Sequence, residues 1–184
     1  MRFTLRVGDP SGEEIHAIAL GAQLHFEPAK RRYDDATRAR LVELFGTPDR
    51  WAATTTRSFV WAQLGAVVPA FRGQTEFALD VACTYDLDVA AAKYVHSLPD
   101  GEVPLAFHFS GTILYGQLQI AMVPWSCSAH HKLPVETWRA MMAAHYPGGS
   151  WIRLGEETLE RLAARKASAH HPSFDATVRE LLDA

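Results

Sequence analysis

The stretch AMVPWSCSAHHKLP, residues 121–134, gathers side chains that could do chemistry into a short space. Cys127 and His130 stand in a C-x-x-H spacing, and His131 follows directly. Three interpretations compete for it. It is one half of a metal site, or a nucleophile with its base, or a loop that joins two parts of the fold.

A structural zinc site needs four cysteine or histidine ligands, which usually come as two close pairs. The second pair would be His170 and His171. The four ligands would then be His130, His131, His170 and His171, and Cys127 is a further candidate. Adjacent residues of an extended chain point to opposite sides, so they rarely bind one ion together. The ligand set is therefore incomplete, and we expect no cofactor.

A catalytic cysteine needs a base within reach and a lowered pKa. No glycine-rich turn leads into Cys127, and no segment suggests an oxyanion hole. The chain also lacks a phosphate-binding P-loop, a dinucleotide fingerprint and an H-E-x-x-H motif. We therefore interpret residues 121–134 as a loop between a sheet and the helices after it, with exposed histidines.

A second group of residues is suited to binding a protein partner. Trp138, Met141 and Met142 share one side of a predicted helix, and Trp151 follows it. Methionine and tryptophan make adaptable contacts at interfaces. The alternative is that this stripe packs on the sheet, because an isolated helix needs an apolar face to bury.

Most of the first two thirds of the chain shows the alternation of polar and apolar residues that is typical of strands. After Gly116 the chain turns back in a predicted hairpin, in which Leu118, Ile120 and Met122 face inward. Residues 58–69 form an apolar run that indicates a strand covered on both faces. The predicted strands are residues 1–7, 15–28, 58–69, 75–85, 103–115 and 117–124.

Helical spacing appears near residues 35–45, where Asp34 or Asp35 can cap a short helix that Gly46 ends. It returns after residue 134 in three further segments. Residues 86–96 fit a helix or a strand equally well. The sequence thus predicts an α+β fold, with an antiparallel immunoglobulin-like β-sandwich over residues 1–125. A helical segment, residues 126–184, would pack on it.

Composition limits the classes of partner. The net charge is −3, and only one short basic cluster occurs, so neither nucleic acid nor an anionic membrane is an expected partner. No apolar run is long enough to span a membrane. Two cysteines in 184 residues do not form a disulfide framework, which favours the cytoplasm.

Three segments resemble an uncharacterised bacterial family, chiefly actinobacterial: CTYDLDVAAAKYVHSLPDGEVPLAFHFSGTILY, VPWS and LPVETWRAMMAAHYPGGSWIRL. The resemblance covers nearly the whole chain. Genes of this family often lie beside nickel-iron hydrogenase genes, which implies an accessory role. The resemblance implies no catalytic residues, and Cys127, His130 and His131 are not among the signature positions of the family. The chain departs from the family in its very short hairpin at residues 115–117.

Three functions follow from these observations. The first is a non-enzymatic, protein-binding accessory or assembly factor, whose partner would be a hydrogenase subunit or maturation protein. The second is a metal-binding protein or metal-dependent enzyme that uses the C-terminal histidines. The third is a subunit of a larger structural assembly.

Overall fold

The computed structural model describes residues 1–51, 58–82, 89–145, 147, 152 and 154–184. The chain divides into two compact units, Met1–His145 and Tyr146–Ala184, so the predicted boundary near residue 125 lies inside the first unit. Among the described residues, no helix is both long and apolar enough to cross a membrane.

The described residues form eight strands and five α-helices. The strands are β1 (Arg2–Gly8), β2 (Glu14–Phe26), β3 (Phe59–Val68), β4 (Phe71–Arg72), β5 (Gln74–Asp80), β6 (Glu102–Tyr115), β7 (Gln119–Met122) and β8 (Ser128–Pro134). The helices are α1 (Asp35–Phe45), α2 (Val89–His96), α3 (Val135–His145), α4 (Glu156–Ser168) and α5 (Phe174–Asp183).

All strand pairing is antiparallel, and the strands form two sheets. In the larger sheet, β2 pairs with β6 on one edge and with β3 and then β4 on the other. The outer edge of β6 pairs with β8 along its first half and with β7 along its second half. The smaller sheet is a ribbon of β1 and β5.

Helices and the ribbon bury the inner face of the larger sheet. Phe26 and Trp61 stack at its centre, and the ribbon adds Phe3, whose ring meets that of Trp61 edge to face. Tyr94 of α2 and Trp138 of α3 close the same core. Aromatic pairs of this kind stabilise a core beyond the area that they bury.

The helix boundaries follow local capping chemistry. The Asp34 side chain accepts a hydrogen bond from the Thr37 amide (2.7 Å), and Gly46 ends α1 with φ +78°, as predicted. In the second unit, the Ser173 hydroxyl caps α5 by accepting from the Ala176 amide (3.1 Å). Arg165 of α4 and Glu180 of α5 form an ion pair that ties these two helices together.

The structure confirms a mixed fold with antiparallel sheets, but not its immunoglobulin-like form. In the described part of the chain the second sheet has two strands, and α1, α2 and α3 supply core side chains that a larger second sheet would supply in a sandwich. In the segment left open between helix and strand, residues 89–96 are helical. Residues 86–88, and the end of the strand predicted at 75–85, lie outside the described residues.

Three strand predictions are wrong. Residues 128–134 are a strand rather than a loop, because β6 extends past β7 and offers that segment an edge. The run at residues 58–69 is covered on one face only, since Val60 and Val67 are exposed. Leu118, Ile120 and Met122 face outward, because the turn at Gly116 sets the opposite register.

The backbone of β2 passes close to Gly111 of β6. Gly111 has φ +141°, and a Cβ built on it would lie 2.0 Å from the Ala19 carbonyl oxygen. We expect Gly111→Ala to lower the free energy of unfolding by about 3 kcal/mol or more, from strain and overpacking. Gly65→Ala is the matched control, because a Cβ there meets nothing within 4 Å. Urea unfolding measures both, and equal stabilities would contradict the close approach.

Candidate functional site

The predicted histidine pair of the first unit lies on β8, and its two side chains point to opposite faces. The His130 Nδ1 atom is 3.2 Å from the Glu27 carboxylate. The His131 ring instead contacts Phe3, with ring centroids 5.7 Å apart. Alternation along a strand causes this divergence, so the pair does not converge on one ion.

Cys127 is exposed in the turn that precedes β8, where its amide donates to the Pro124 carbonyl (2.9 Å). Three residues of extended chain span about 10 Å, so the thiol and the His130 ring do not form a nucleophile and base. Cys127 contributes instead to the lining of an apolar cleft.

The other histidine pair follows α4 in the second unit. His170 has φ +55° and lies in the helix-terminating turn. Both ring nitrogens of His171 have partners, at 3.1 Å from the Thr177 hydroxyl and 2.7 Å from the Glu180 carboxylate. Within the described part of the chain, no three histidine, cysteine, aspartate or glutamate side chains form a metal-binding group. The two histidine pairs lie in different units, and the four-histidine site stays a prediction.

Most of the residues predicted to bind a partner pack against the core of the first unit. Trp138 is 3% exposed, and its ring centroid lies 5.6 Å from that of Trp61. Met141 and Met142 are half-buried against the same core. The structure therefore follows the alternative in which this stripe packs on the sheet. Trp151 lies outside the described residues.

The feature of the first unit that best suits partner binding is a row of exposed side chains across the outer face of the larger sheet. Val67, Ala19, Thr112 and Met122 are register partners on β3, β2, β6 and β7. Val67 is 70% exposed and Met122 is 69% exposed. Adjacent strands lie about 4.8 Å apart, so these side chains form a continuous strip.

A second row lies beside the first and is also apolar. Ala17, Leu114 and Ile120 are register partners on β2, β6 and β7, and Ile120 is 70% exposed. We call the two rows together the outer patch: Ala17, Ala19, Val67, Thr112, Leu114, Ile120 and Met122. Trp125, in the loop that follows β7, is 95% exposed.

The outer patch is chemically suited to binding a protein surface. The alanines on β2 leave the centre of the patch shallow, while longer aliphatic side chains stand on β3 and β7. Contiguous apolar patches on a soluble protein usually mark an interaction site. Sequence reasoning missed the patch because it placed Ile120 and Met122 in the core. The available signal was the small size of Ala17 and Ala19, which leaves one face of β2 without large side chains.

Further along the outer face of the larger sheet, the side chains are polar. The His25 and His108 rings meet edge to face with centroids 5.0 Å apart, and Gln23 Oε1 lies 3.4 Å from His25 Nε2. Burial lowers the pKa of His25, and the nearby His108 lowers it further. His25 therefore resists protonation.

The inner face carries a cleft of about 770 Å³ between the ribbon and the larger sheet. Ile15, Ile18, Leu20 and Val68 form its apolar floor. Arg6, Asp9, Ser11, Cys127 and Ser128 are its polar members. An apolar floor with a few polar groups at its margin is typical of a ligand-binding cleft.

Burial also perturbs two phenols, but these have a structural role. The Tyr33 hydroxyl donates to the Pro28 carbonyl (2.8 Å) and lies 2.6 Å from the Tyr94 hydroxyl. Burial raises the pKa of both tyrosines, so both remain protonated at neutral pH. The pair joins the segment before α1 to α2.

Comparison with known proteins places the chain in a family. The model of a family described as a family of unknown function (DUF6084) matches residues 1–184, the whole chain. No curated protein and no solved structure matches it.

The lowered pKa of His25 predicts a pH dependence of stability. The unfolded chain binds a proton at His25 below pH ~6.5, whereas the folded chain does so only at lower pH. Acidification through pH ~6.5 therefore favours unfolding, and the loss is complete below the folded pKa. We expect His25→Gln to lose less stability than the wild type between pH 7.5 and 5.5, as measured by urea unfolding.

Titration of the His25 ring by NMR checks the cause. In His108→Gln, the pKa of His25 should rise only partly, because burial is the larger cause and remains. An unaltered pH dependence in His25→Gln, together with an ordinary pKa for His25, would refute this account.

Proposed function

We propose that this chain, which belongs to the DUF6084 family, is a non-enzymatic accessory factor that binds a protein partner through its outer patch. The observation that carries the proposal is the row of Val67, Ala19, Thr112 and Met122, in register across four strands and exposed at both ends. Water must be removed from this row when a partner covers it, which supplies the driving force for binding.

The shape of the patch indicates the kind of surface that fits it. Small side chains on β2 form a shallow floor, and Met122 and Val67 form the sides. An amphipathic helix or a second sheet can lay an apolar face on such a floor. Trp125 suits a peripheral anchor, because exposed tryptophans often become hot spots when a partner buries them.

The resemblance noted in the sequence guides the choice of partner. Its association with nickel-iron hydrogenase genes makes a hydrogenase subunit or maturation protein the first candidate. The proposed place of action is then the cytoplasm, where such maturation would occur. Self-association through the same patch would instead make the chain a subunit of a larger assembly.

Charge placed in the outer patch should abolish partner binding. We expect Met122→Asp and Val67→Asp to reduce recovery of the partner at least tenfold, because the new carboxylate must be desolvated without an opposite charge. The measurement is a pull-down with tagged protein from cells that express the hydrogenase genes, quantified by mass spectrometry. Leu182→Asp is the control, since Leu182 is 80% exposed in the second unit.

The result that contradicts the proposal is equal recovery of the same partner by the wild type and both patch variants. Failure of the wild type to enrich a hydrogenase subunit or maturation protein would remove that choice of partner. Light scattering coupled to size exclusion identifies self-association, which Met122→Asp should then reverse.

A further inference from the structure

Two strands of the first unit face each other across a groove without pairing. One part of the groove, of about 420 Å³, is lined on one side by residues 1–5 and on the other by residues 129–131, 133 and 134 of β8, with Phe107 and Thr137 between them. The apolar cleft continues it, between residues 5–11 and residues 127–129. The first residues of β1 thus lie opposite the last residues of β8, so the two strands run in opposite directions.

The edge of β1 that is not paired with β5 has free backbone groups. Met1 and Val81 exchange two hydrogen bonds of 2.7 Å, from the amino group of Met1 and from the amide of Val81. Hydrogen-bonded pairs alternate along an antiparallel ladder, so the amides of Phe3 and Leu5 also point toward β5. The amides and carbonyls of Arg2, Thr4 and Arg6 point away from it.

The same reasoning applies to β8. The Phe109 amide of β6 donates to the Cys127 carbonyl (3.1 Å). Ala129 and His131 therefore direct their backbone groups to β6, whereas Ser128, His130 and Lys132 direct theirs away. Among the strands that the structure describes, none pairs with this edge of β8 or with the free edge of β1.

Side chains beside the groove are mostly apolar where they point inward, and they include basic residues where they point outward. Phe3, Leu5 and Val7 of β1 point toward the core, as do Ala129 and Leu133 of β8. Outward, β1 presents Arg2 and Arg6, and β8 presents His130 and Lys132. Along β1 the two kinds of residue alternate, whereas on β8 the inward position between Ala129 and Leu133 is occupied by His131, whose ring contacts Phe3.

Basic residues stand on the two strands that border the groove, and each forms an ion pair with an acidic residue on the next strand away from the groove. Arg2 pairs with Asp80 of β5, and Lys132 with Glu102 of β6. A strand placed in the groove would therefore have basic neighbours on both sides. Opposite charges directly across a sheet stabilise pairing, so acidic residues fit its outward positions.

On its other edge, β1 already accepts a strand of this chemistry. In β5, Glu76 and Asp80 lie opposite Arg6 and Arg2, and Phe77 and Leu79 point inward. The sequence TEFALDV, residues 75–81, is thus an internal template for what β1 binds.

We propose that the groove between β1 and β8 is a strand-accepting site for an extended peptide segment of a partner protein, in which apolar and acidic residues alternate. The added strand is antiparallel to one neighbour and parallel to the other. Its backbone bonds to the free groups of both strands, as in other cases of strand addition. This site is separate from the outer patch and does not depend on it.

Proline at an outward-pointing amide tests the proposal. Thr4→Pro removes a donor from the free edge of β1 and leaves the pairing with β5 intact, since edge strands tolerate proline there. Thr4→Val is the matched control that keeps the amide. The probe is a fluorescent peptide of sequence TEFALDV, and binding is followed by fluorescence anisotropy. We expect saturable binding, at least tenfold weaker affinity in Thr4→Pro, and wild-type affinity in Thr4→Val.

Two more arms complete the experiment. His130→Pro, compared with His130→Ala, tests the edge of β8. This comparison also replaces the Thr4 variants if Thr4→Pro does not fold. A peptide with lysine in place of both acids, TKFALKV, should bind at least tenfold more weakly. Met122→Asp should bind the TEFALDV peptide normally, which separates this site from the outer patch.

Three outcomes would overturn the proposal. The first is equal affinity of both proline variants and their controls, which would mean that the peptide displaces β5 or binds elsewhere. The second is equal binding of the acidic and basic peptides. The third is no saturable binding by the wild-type protein at millimolar concentration.

Discussion

The first unit depends on the pairing of β2 with β6. These two long strands pair from Ile15 with Tyr115 to Phe26 with Leu105, and every other strand of the larger sheet attaches to one of them. Gly111 allows the two backbones to approach where any side chain would collide with Ala19. Because β6 is longer than either of its outer neighbours, it holds β7 along one half and β8 along the other. The outer patch and the free edge of β8 both follow from this arrangement.

Much of this framework could be predicted from sequence, because one face of β2 is buried. Leu24 and Phe26 are fully buried, and the alternation around them fixes which residues face the core. The hairpin after β6 shows the limit of that reasoning. Gly116 and Leu118 both have positive φ, and the resulting turn, rather than hydrophobicity, sets the register of β7. The apolar side chains of Ile120 and Met122 therefore face outward, where local pattern alone would not place them.

Trp138 and the histidine pairs show a different limit, because their roles depend on distant parts of the chain. A helical stripe of tryptophan and methionine suits a core and an interface equally well. The deciding fact is that Trp61 and Phe26 leave a space on the inner face that Trp138 fills. Likewise, the spacing of Cys127 and His130 indicates a shared site only if the chain between them is not extended. The pairing of β8 with Leu105 and Phe107 makes it extended, and these two residues lie more than twenty positions before their partners His131 and Ala129.

The charges beside the groove bear on the two strand edges with which no described strand pairs. Free edges pair readily with one another, and proteins commonly protect them with charged side chains. Arg2 and Arg6 on one edge, and Lys132 on the other, form ion pairs within the chain, and pairing the same edges of two copies would place these cations side by side. An acidic strand meets no such repulsion, because its carboxylates lie between positive groups on both sides. In the proposed complex, the side chains that oppose self-association would therefore also favour an acidic partner strand.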